Sequence, residues 1–371
     1  MEIIGLIAEY NPFHKGHLYH INKIKELYPN SLIIAIVSTN FTQRGEVSVL
    51  NKYDKTEIAL NNNIDLVIEL PFVYTTRSAD LFAYSALYIL NQLKVKKIIF
   101  GSECNDINKL KEVSNIQINN KEFDKYVKKY LNDGNNYPTS LSLSLKHFNI
   151  EKIDSPNDLL GISYIKEIIK NNYDITPISI KRTNNYHGNN NKLLSASEIR
   201  DLIKNKKSVK EHINYNENLL YKNTNYFNLL KYKIITNINN LNIYLTVDEG
   251  IEGRIKKYIN DSTNLETLIE KVKTKRYTYN KINRMFIHIL TSLTKEEKDL
   301  KIDYIRVLGF NKKGQKYLNK IKKDTLIPII TNYKSINSPL LEKEYLSTKI
   351  YSIIVNDNSL IKKELLLPIR K

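Results

Sequence analysis

Cysteine is almost absent: Cys104 stands alone in 371 residues. That excludes an intramolecular disulfide framework and a cluster of zinc-binding thiolates. Long apolar runs are missing too. None approaches the ~20 residues needed to cross a bilayer, so no membrane partner is expected. The first residues carry neither the basic segment nor the small-residue cleavage site of a secretory leader, and the cytoplasm is the expected location. No internal repeat stands out. Acidic residues are in short supply, 39 against 57 Lys and Arg, for a formal charge of +18. The shortage is uneven: residues 1–200 hold 24 Lys and Arg against 21 Asp and Glu, whereas 201–371 hold 33 against 18. Lysine-rich coding bias contributes, but bias alone does not explain the asymmetry. A near-neutral first part joined to a strongly basic second part predicts a catalytic domain followed by a polyanion-binding one, with RNA the favoured polyanion.

Hydrophobic residues make up 42% and aromatics 10%, as in a folded chain, and the length allows two cores. Strand-like runs fall at 2–8, 31–37, 66–70, 97–100 and 176–180. Helical patterns lie at 17–27, 52–61, 78–93 and 157–169. Apolar strands alternating with helices predict an α/β fold of Rossmann-like type, a parallel sheet covered on both faces. In such sheets ligands sit at the carboxyl ends of strands, which gathers 10–17, 38–46, 71–77 and 101–103 around one cleft. Residues 105–150 read as a helical insertion, and 183–191, with five asparagines, as a loop. Beyond about 205 strand signals fade and amphipathic patterns dominate at 264–273, 281–291 and 312–322. The expected division is therefore 1–205, catalytic, and 206–371, mainly helical and basic.

The strongest local signal opens the chain. An apolar run ends at Asn11-Pro12, and His14-Lys15-Gly16-His17 then begins a helical pattern. Two imidazoles and a glycine at a strand-to-helix corner suit an anion, because free N–H groups and the helix dipole face it. Histidines add donors for charge that grows on a phosphate, and Gly16 lets backbone approach the ligand. The bland alternatives are a metal pair or a chance surface pair. Leu194-Ser195-Ala196-Ser197-Glu198-Ile199-Arg200 is the natural partner. Ser195 or Ser197 can cap a helix, and Arg200 one turn in can take a pair of phosphate oxygens; alone, the segment is simply a capped helix. Arg44, after the second strand, suits triphosphate or RNA, or is a solvated turn residue. Glu69, inside an apolar run, needs a buried partner. Gly101 follows the fourth strand, Asn157 begins a helix after Ser155-Pro156, and Arg182 follows the fifth strand. In the basic part, Lys273, Lys275, Arg276 and Tyr277 interleave cations with an aromatic that can stack on unpaired bases; a solvated helix end is the alternative. Arg306 to Asn311 reads as a helix terminus with Gly309 at C′.

Taken together, Gly5 to His20, Asn40 to Glu46, Asp65 to Phe72, Phe100 to Glu103, Asn157 to Tyr164, Ser195 to Arg200, Lys273 to Thr278 and Arg306 to Asn311 resemble the bacterial tRNA(Met) cytidine acetate ligase family over essentially the whole chain. The chain departs from the family where Ala196 separates two serines that are usually adjacent. The resemblance implies a nucleotidyltransferase-like Rossmann domain followed by a mainly helical tRNA-binding region. It also implies ATP-dependent attachment of acetate to N4 of the wobble cytidine of elongator tRNA(Met). Its ATP site would comprise Ile7, Ala8, Glu9, Tyr10, Asn11, Pro12, Phe13, His14, Lys15, Gly16, His17, Leu18, Tyr19 and His20, with Gly101, Asn157, Arg182, Ser195 and Ser197. His14, His17 and Arg200 are the expected catalytic groups. Mg²⁺ is expected with ATP on general grounds, although no acidic metal-binding motif stands out. Two competing readings are a small-molecule adenylyltransferase and a nucleotide-gated RNA-binding protein without catalysis. The first needs no basic second part, and the second needs neither histidines nor Arg200.

Overall fold

The computed structural model describes the chain apart from residues 151–152, 183–192 and 223, so the asparagine-rich stretch 183–191 lies outside the described residues. Apolar, β-branched runs form β1 (Ile3–Ala8), β2 (Leu32–Ser38), β3 (Leu66–Leu70), β4 (Lys97–Ser102) and β5 (Thr176–Lys181). Between them lie α1 (Lys15–Leu27), α2 (Lys52–Asn61), the single turn α3 (Phe72–Thr75) and α4 (Ala79–Gln92). The insertion supplies α5 (Ile107–Asn119), α6 (Lys121–Asn132) and α7 (Tyr137–Leu145), and α8 (Pro156–Lys170) returns to the sheet. Each Asn or Asp before α2, α5, α6 and α7 caps its helix through the side chain and so fixes where the helix begins.

After β5 the chain is mainly helical: α9 (Ala196–Lys204), α10 (Tyr226–Thr236), α11 (Ile251–Tyr258), α12 (Leu265–Val272) and α13 (Tyr279–Leu290). It then re-enters the sheet through β6 (Ile305–Phe310), followed by α14 (Lys312–Ile321), β7 (Ile329–Ile330), α15 (Pro339–Val355), α16 (Ser359–Lys363) and β8 (Ile369–Arg370). Among the described residues the sheet order is β5-β4-β1-β2-β3-β6-β7, with β8 beside β6. The pairs among β1 to β5 are parallel, whereas β6 runs antiparallel to β3. From β1 the order runs to β2 and β3 on one side and to β4 and β5 on the other, so the carboxyl ends of β1 and β4 flank a switch point.

The reading of Arg306 to Asn311 as a helix terminus is therefore corrected. Its residues from Ile305 to Phe310 form a wholly buried strand, and the charge that masked it is spent inside. Arg306 meets Glu69 at 3.3 Å and also pairs with Glu364; Lys52 Nζ reaches Glu69 at 2.8 Å, Glu344 at 3.0 Å and Glu364 at 2.8 Å. Glu69 is thus part of a buried ionic network, centred on Lys52, that binds α2 and β3 to the last third of the chain. Among the described residues no helix is long and apolar enough to cross a membrane.

Candidate active site

At the carboxyl end of β1 the chain turns through Tyr10, at φ +46°, into the segment that begins α1. His14 is the N-cap of α1. Its Nδ1 accepts the N–H of Gly16 at 2.9 Å, and His17 Nδ1 accepts the N–H of His14 at 3.2 Å. A backbone N–H can only donate, so each Nδ1 is an acceptor and each neutral ring carries its proton on Nε2. The imidazole centroids lie 4.0 Å apart, with Tyr10 edge-on to His17 at 5.0 Å. Burial, then the charges of Arg182 and Arg200, lower the His14 pKa to about 4; burial and His14 take His17 well below the ordinary imidazole range. At neutral pH the two rings are uncharged donors, fixed in tautomer by the helix start.

Gly16 lines the cavity, and the structure adds a steric reason for a glycine there. A Cβ there would lie 2.6 Å from His14 Cε1 and 2.9 Å from Nδ1, so the glycine makes room for the imidazole that folds over the helix end. Gly16→Ala is expected to displace His14 and to lower nucleotide turnover about 100-fold, the loss typical of one misplaced stabilising donor. An alanine variant within threefold of wild type in pyrophosphate exchange would refute that role for the glycine.

Across the cleft, α9 begins in a complete capping box: Ser195 accepts the Glu198 N–H, and the Glu198 carboxylate accepts the Ser195 N–H at 2.7 Å. Ser195 therefore has the capping role, while Ser197 is exposed and meets the Ser195 hydroxyl at 3.0 Å. Arg200 donates from Nη1 to the Asn11 carbonyl at 2.8 Å and pairs through Nη2 with Glu46 at 3.0 Å. It thereby ties α9 to the β1–α1 segment and to the loop after β2. Gly45 completes that junction: at φ +74° it packs so closely that a Cβ would fall 2.3 Å from the Arg284 nitrogen on α13. At the other wall, Gly101 lies under the Arg182 side chain, and Arg182 pairs with Glu103 at 3.3 Å. Asp158 holds this loop by accepting the N–H groups of Glu103 and Cys104.

These elements enclose a cavity of about 600 Å³. Ile7, Ala8, Glu9, Tyr10, Asn11, His14, Gly16, His17, Tyr19, His20, Arg44, Gly101, Asn157, Arg182, Ser195, Ser197 and Arg200 all line it. Pro12, Phe13, Lys15 and Leu18 do not; Phe13 is fully buried in the core, and Leu18 packs against the same cluster. Gln43 lines it too, within the 38–46 segment expected at the cleft; Phe82, Leu160, Tyr164 and Asn280 were not among the expected site residues, and they give the cavity an apolar wall and a contribution from α13. Arg44 stands on the rim with no hydrogen bond or ion pair among the described residues. No group of three His, Cys, Asp or Glu suited to a metal occurs among the described residues.

The basic segment is less open than expected. Lys273, Lys275 and Arg276 are exposed, but Tyr277 is only 2% exposed and its hydroxyl is bonded to Asp248 and Thr246. Its role as a base-stacking ring is corrected: Lys281 caps the ring at 3.7 Å, and the tyrosine instead holds the 246–249 turn. Lys275, Arg276 and Arg254 border a separate hollow of about 300 Å³.

Comparison with known proteins agrees with this geometry. The family model described as HIGH Nucleotidyl Transferase matches residues 1–364. A tRNA(Met) cytidine acetate ligase of Caldicellulosiruptor saccharolyticus is 39% identical, covering 95% of this chain and 94% of that protein. One from Oceanobacillus iheyensis is 36% identical over the whole of both. The crystal structure of Thermotoga maritima TmcAL bound with alpha-thio ATP superposes with a TM-score of 0.86 at 28% identity, covering 100% of this chain and 99% of that one. The chain belongs to the HIGH nucleotidyl transferase family and, within it, to the tRNA(Met) cytidine acetate ligases.

Proposed function

We propose that the protein joins acetate to N4 of the wobble cytidine of elongator tRNA(Met), with conversion of ATP to AMP and pyrophosphate. The observation that carries this reading is the pair of neutral, tautomer-fixed histidines at the start of α1, facing a cleft flanked by Arg182 and Arg200. In the first step an acetate oxygen attacks the α-phosphorus, the bond to the bridging oxygen breaks, and pyrophosphate leaves. His14 and His17 donate from Nε2 to oxygens on which charge grows; Arg200 and Arg182 offset the charge of the leaving group. Such a step requires positioning and charge stabilisation rather than a covalent enzyme intermediate. In the second step the cytidine amine attacks the acetyl carbonyl and AMP leaves. Glu46 and Glu103 are already paired with Arg200 and Arg182, so a Mg²⁺ ion, if used, would enter with the nucleotide and supply charge neutralisation there.

The deciding experiment is incubation with ATP, acetate and bulk tRNA, followed by nucleoside mass analysis. N4-acetylcytidine that depends on all three is expected; its absence would overturn the proposal. The exposed cations of 273–276 are proposed to contact the tRNA backbone. Lys275→Glu with Arg276→Glu is expected to raise the apparent tRNA KM about tenfold and to flatten its dependence on log salt by about two charges' worth. Pyrophosphate exchange without tRNA should be unchanged. An unaltered tRNA KM would place the RNA elsewhere.

A further inference from the structure

The second step leaves a proton to be disposed of, and the histidines are poorly suited to take it. Their Nδ1 atoms already accept backbone N–H groups, and their Nε2 atoms are donors. Of the other ionisable cleft residues, Glu46 is held by Arg200, Tyr10 and Tyr164 are phenols raised by burial, and His20, with Nε2 buried and unpartnered among the described residues, is lowered by burial to about 4 and is a weak base. Glu9 differs. It stands at the carboxyl end of β1, between the nucleotide-facing loops of β4 and β5 and the loop after β2. Its Oε1 accepts the Gln43 N–H at 2.6 Å, and among the described residues Oε2 has no hydrogen-bond partner. The carboxylate is thus clamped by one oxygen, the other is unpaired among the described residues, and Glu9 lines the cavity together with Arg44 and the apolar Phe82, Leu160 and Tyr164.

We infer that Glu9 is a further catalytic residue, the general base for acetyl transfer, with Oε2 receiving a proton from the cytidine amine. The inference rests on the proposed ligase reading. As the N4–carbon bond forms, the bond from the acetyl carbon to the AMP oxygen breaks and AMP leaves with that electron pair. One amine proton passes to Glu9 and later to water, so atoms and charge balance. Burial raises the Glu9 carboxyl above the ordinary carboxylate range, which strengthens it as a base near neutral pH. The groups that face it are Lys55 from α2, Arg44 and Glu46 from the loop after β2, and Tyr164 from α8. The first and second of these favour its ionised form and Glu46 opposes it. Lys55 is itself fully buried, donating to the Ser38 and Thr39 carbonyls at 3.0 and 2.7 Å, so it sets the charge around Glu9 without entering the cleft.

The test separates the two steps. Glu9→Gln keeps an acceptor for the Gln43 N–H and removes the base. Single-turnover acetyl transfer to tRNA should fall about 100-fold or more, and at least tenfold further than acetate-dependent exchange of pyrophosphate into ATP. Glu9→Asp should recover part of the transfer. Transfer by the Gln variant within threefold of wild type, or equal losses in exchange and transfer, would overturn the inference. Wild-type enzyme gives an independent arm that needs no variant to fold: its single-turnover transfer rate should rise with pH through an ionisation above the ordinary carboxylate range, and a rate that shows no such ionisation would contradict a carboxylate base. Lack of exchange in wild-type enzyme would instead defeat the ligase reading itself.

Discussion

His17→Ala is expected to lower acetate-dependent exchange of pyrophosphate into ATP by about 10²–10³-fold, the usual effect of removing one preorganised donor from a site of developing charge. The side chain has two separable roles. Nδ1 accepts the His14 N–H and so helps to start α1, and Nε2–H faces the cleft. Asparagine keeps an acceptor near the Nδ1 position but places no donor at Nε2, so His17→Asn should be nearly as inactive as His17→Ala. Glutamine, whose amide reaches the Nε2 position, should recover part of the rate. Activity in the Asn variant close to wild type would mean that His17 matters only as a cap. The pH dependence follows from the same burial. Because the His14 pKa is lowered to about 4 and that of His17 well below its usual value, neither ring changes charge between pH 8 and pH 5.5. Exchange should be level across that range as far as the histidines decide it, and should fall only as pH approaches 4, when His14 gains a proton and loses its Nδ1 acceptor.

The second large effect is on stability. Lys52→Met is expected to destabilise the protein by about 3–5 kcal/mol, measured by denaturant unfolding, because it strands buried carboxylates around a single remaining cation. Lys52 is fully buried, and three carboxylates converge on its ammonium. Burial, then repulsion from Glu69, raises the Glu344 pKa from 4.5 to about 7. A carboxyl raised on folding holds a proton that the unfolded chain releases. Its contribution is therefore complete below pH 4.5 and is lost as pH rises through 7. Removing Lys52 takes away an attraction that favours ionised Glu344, so the variant should be less impaired at pH 5 than at pH 8. A loss under about 1 kcal/mol at pH 8 would show that the network relaxes or admits water.

Much of this was legible in the sequence. The apolar strands, the capped helices and the insertion each depend on residues close together in the chain, through side-chain periodicity and local capping bonds. The His-x-Gly-His corner and the Ser195–Arg200 segment were legible for the same reason, since a strand end and a helix start are local events. The identity of β6 was not. Its run Ile305–Phe310 contains an arginine and a glycine, and only Glu69 and Glu364, far away in the chain, turn that arginine into a core residue. The burial of Tyr277 was hidden likewise, because its partners lie in the 246–249 turn and on Lys281.

By itself, then, the sequence determined an α/β chain with a phosphate-suited corner and a basic second part, because periodicity, capping and charge are properties of neighbouring residues. Only the tertiary structure decided that the basic part returns to the sheet, that Gly16 makes room for an imidazole, and that both histidines are neutral Nε2–H donors. It alone placed Glu9 in the cavity wall with one oxygen clamped. Those outcomes depend on burial and on partners distant in sequence, and burial is what shifts a pKa, fixes a tautomer and makes a lone charge costly.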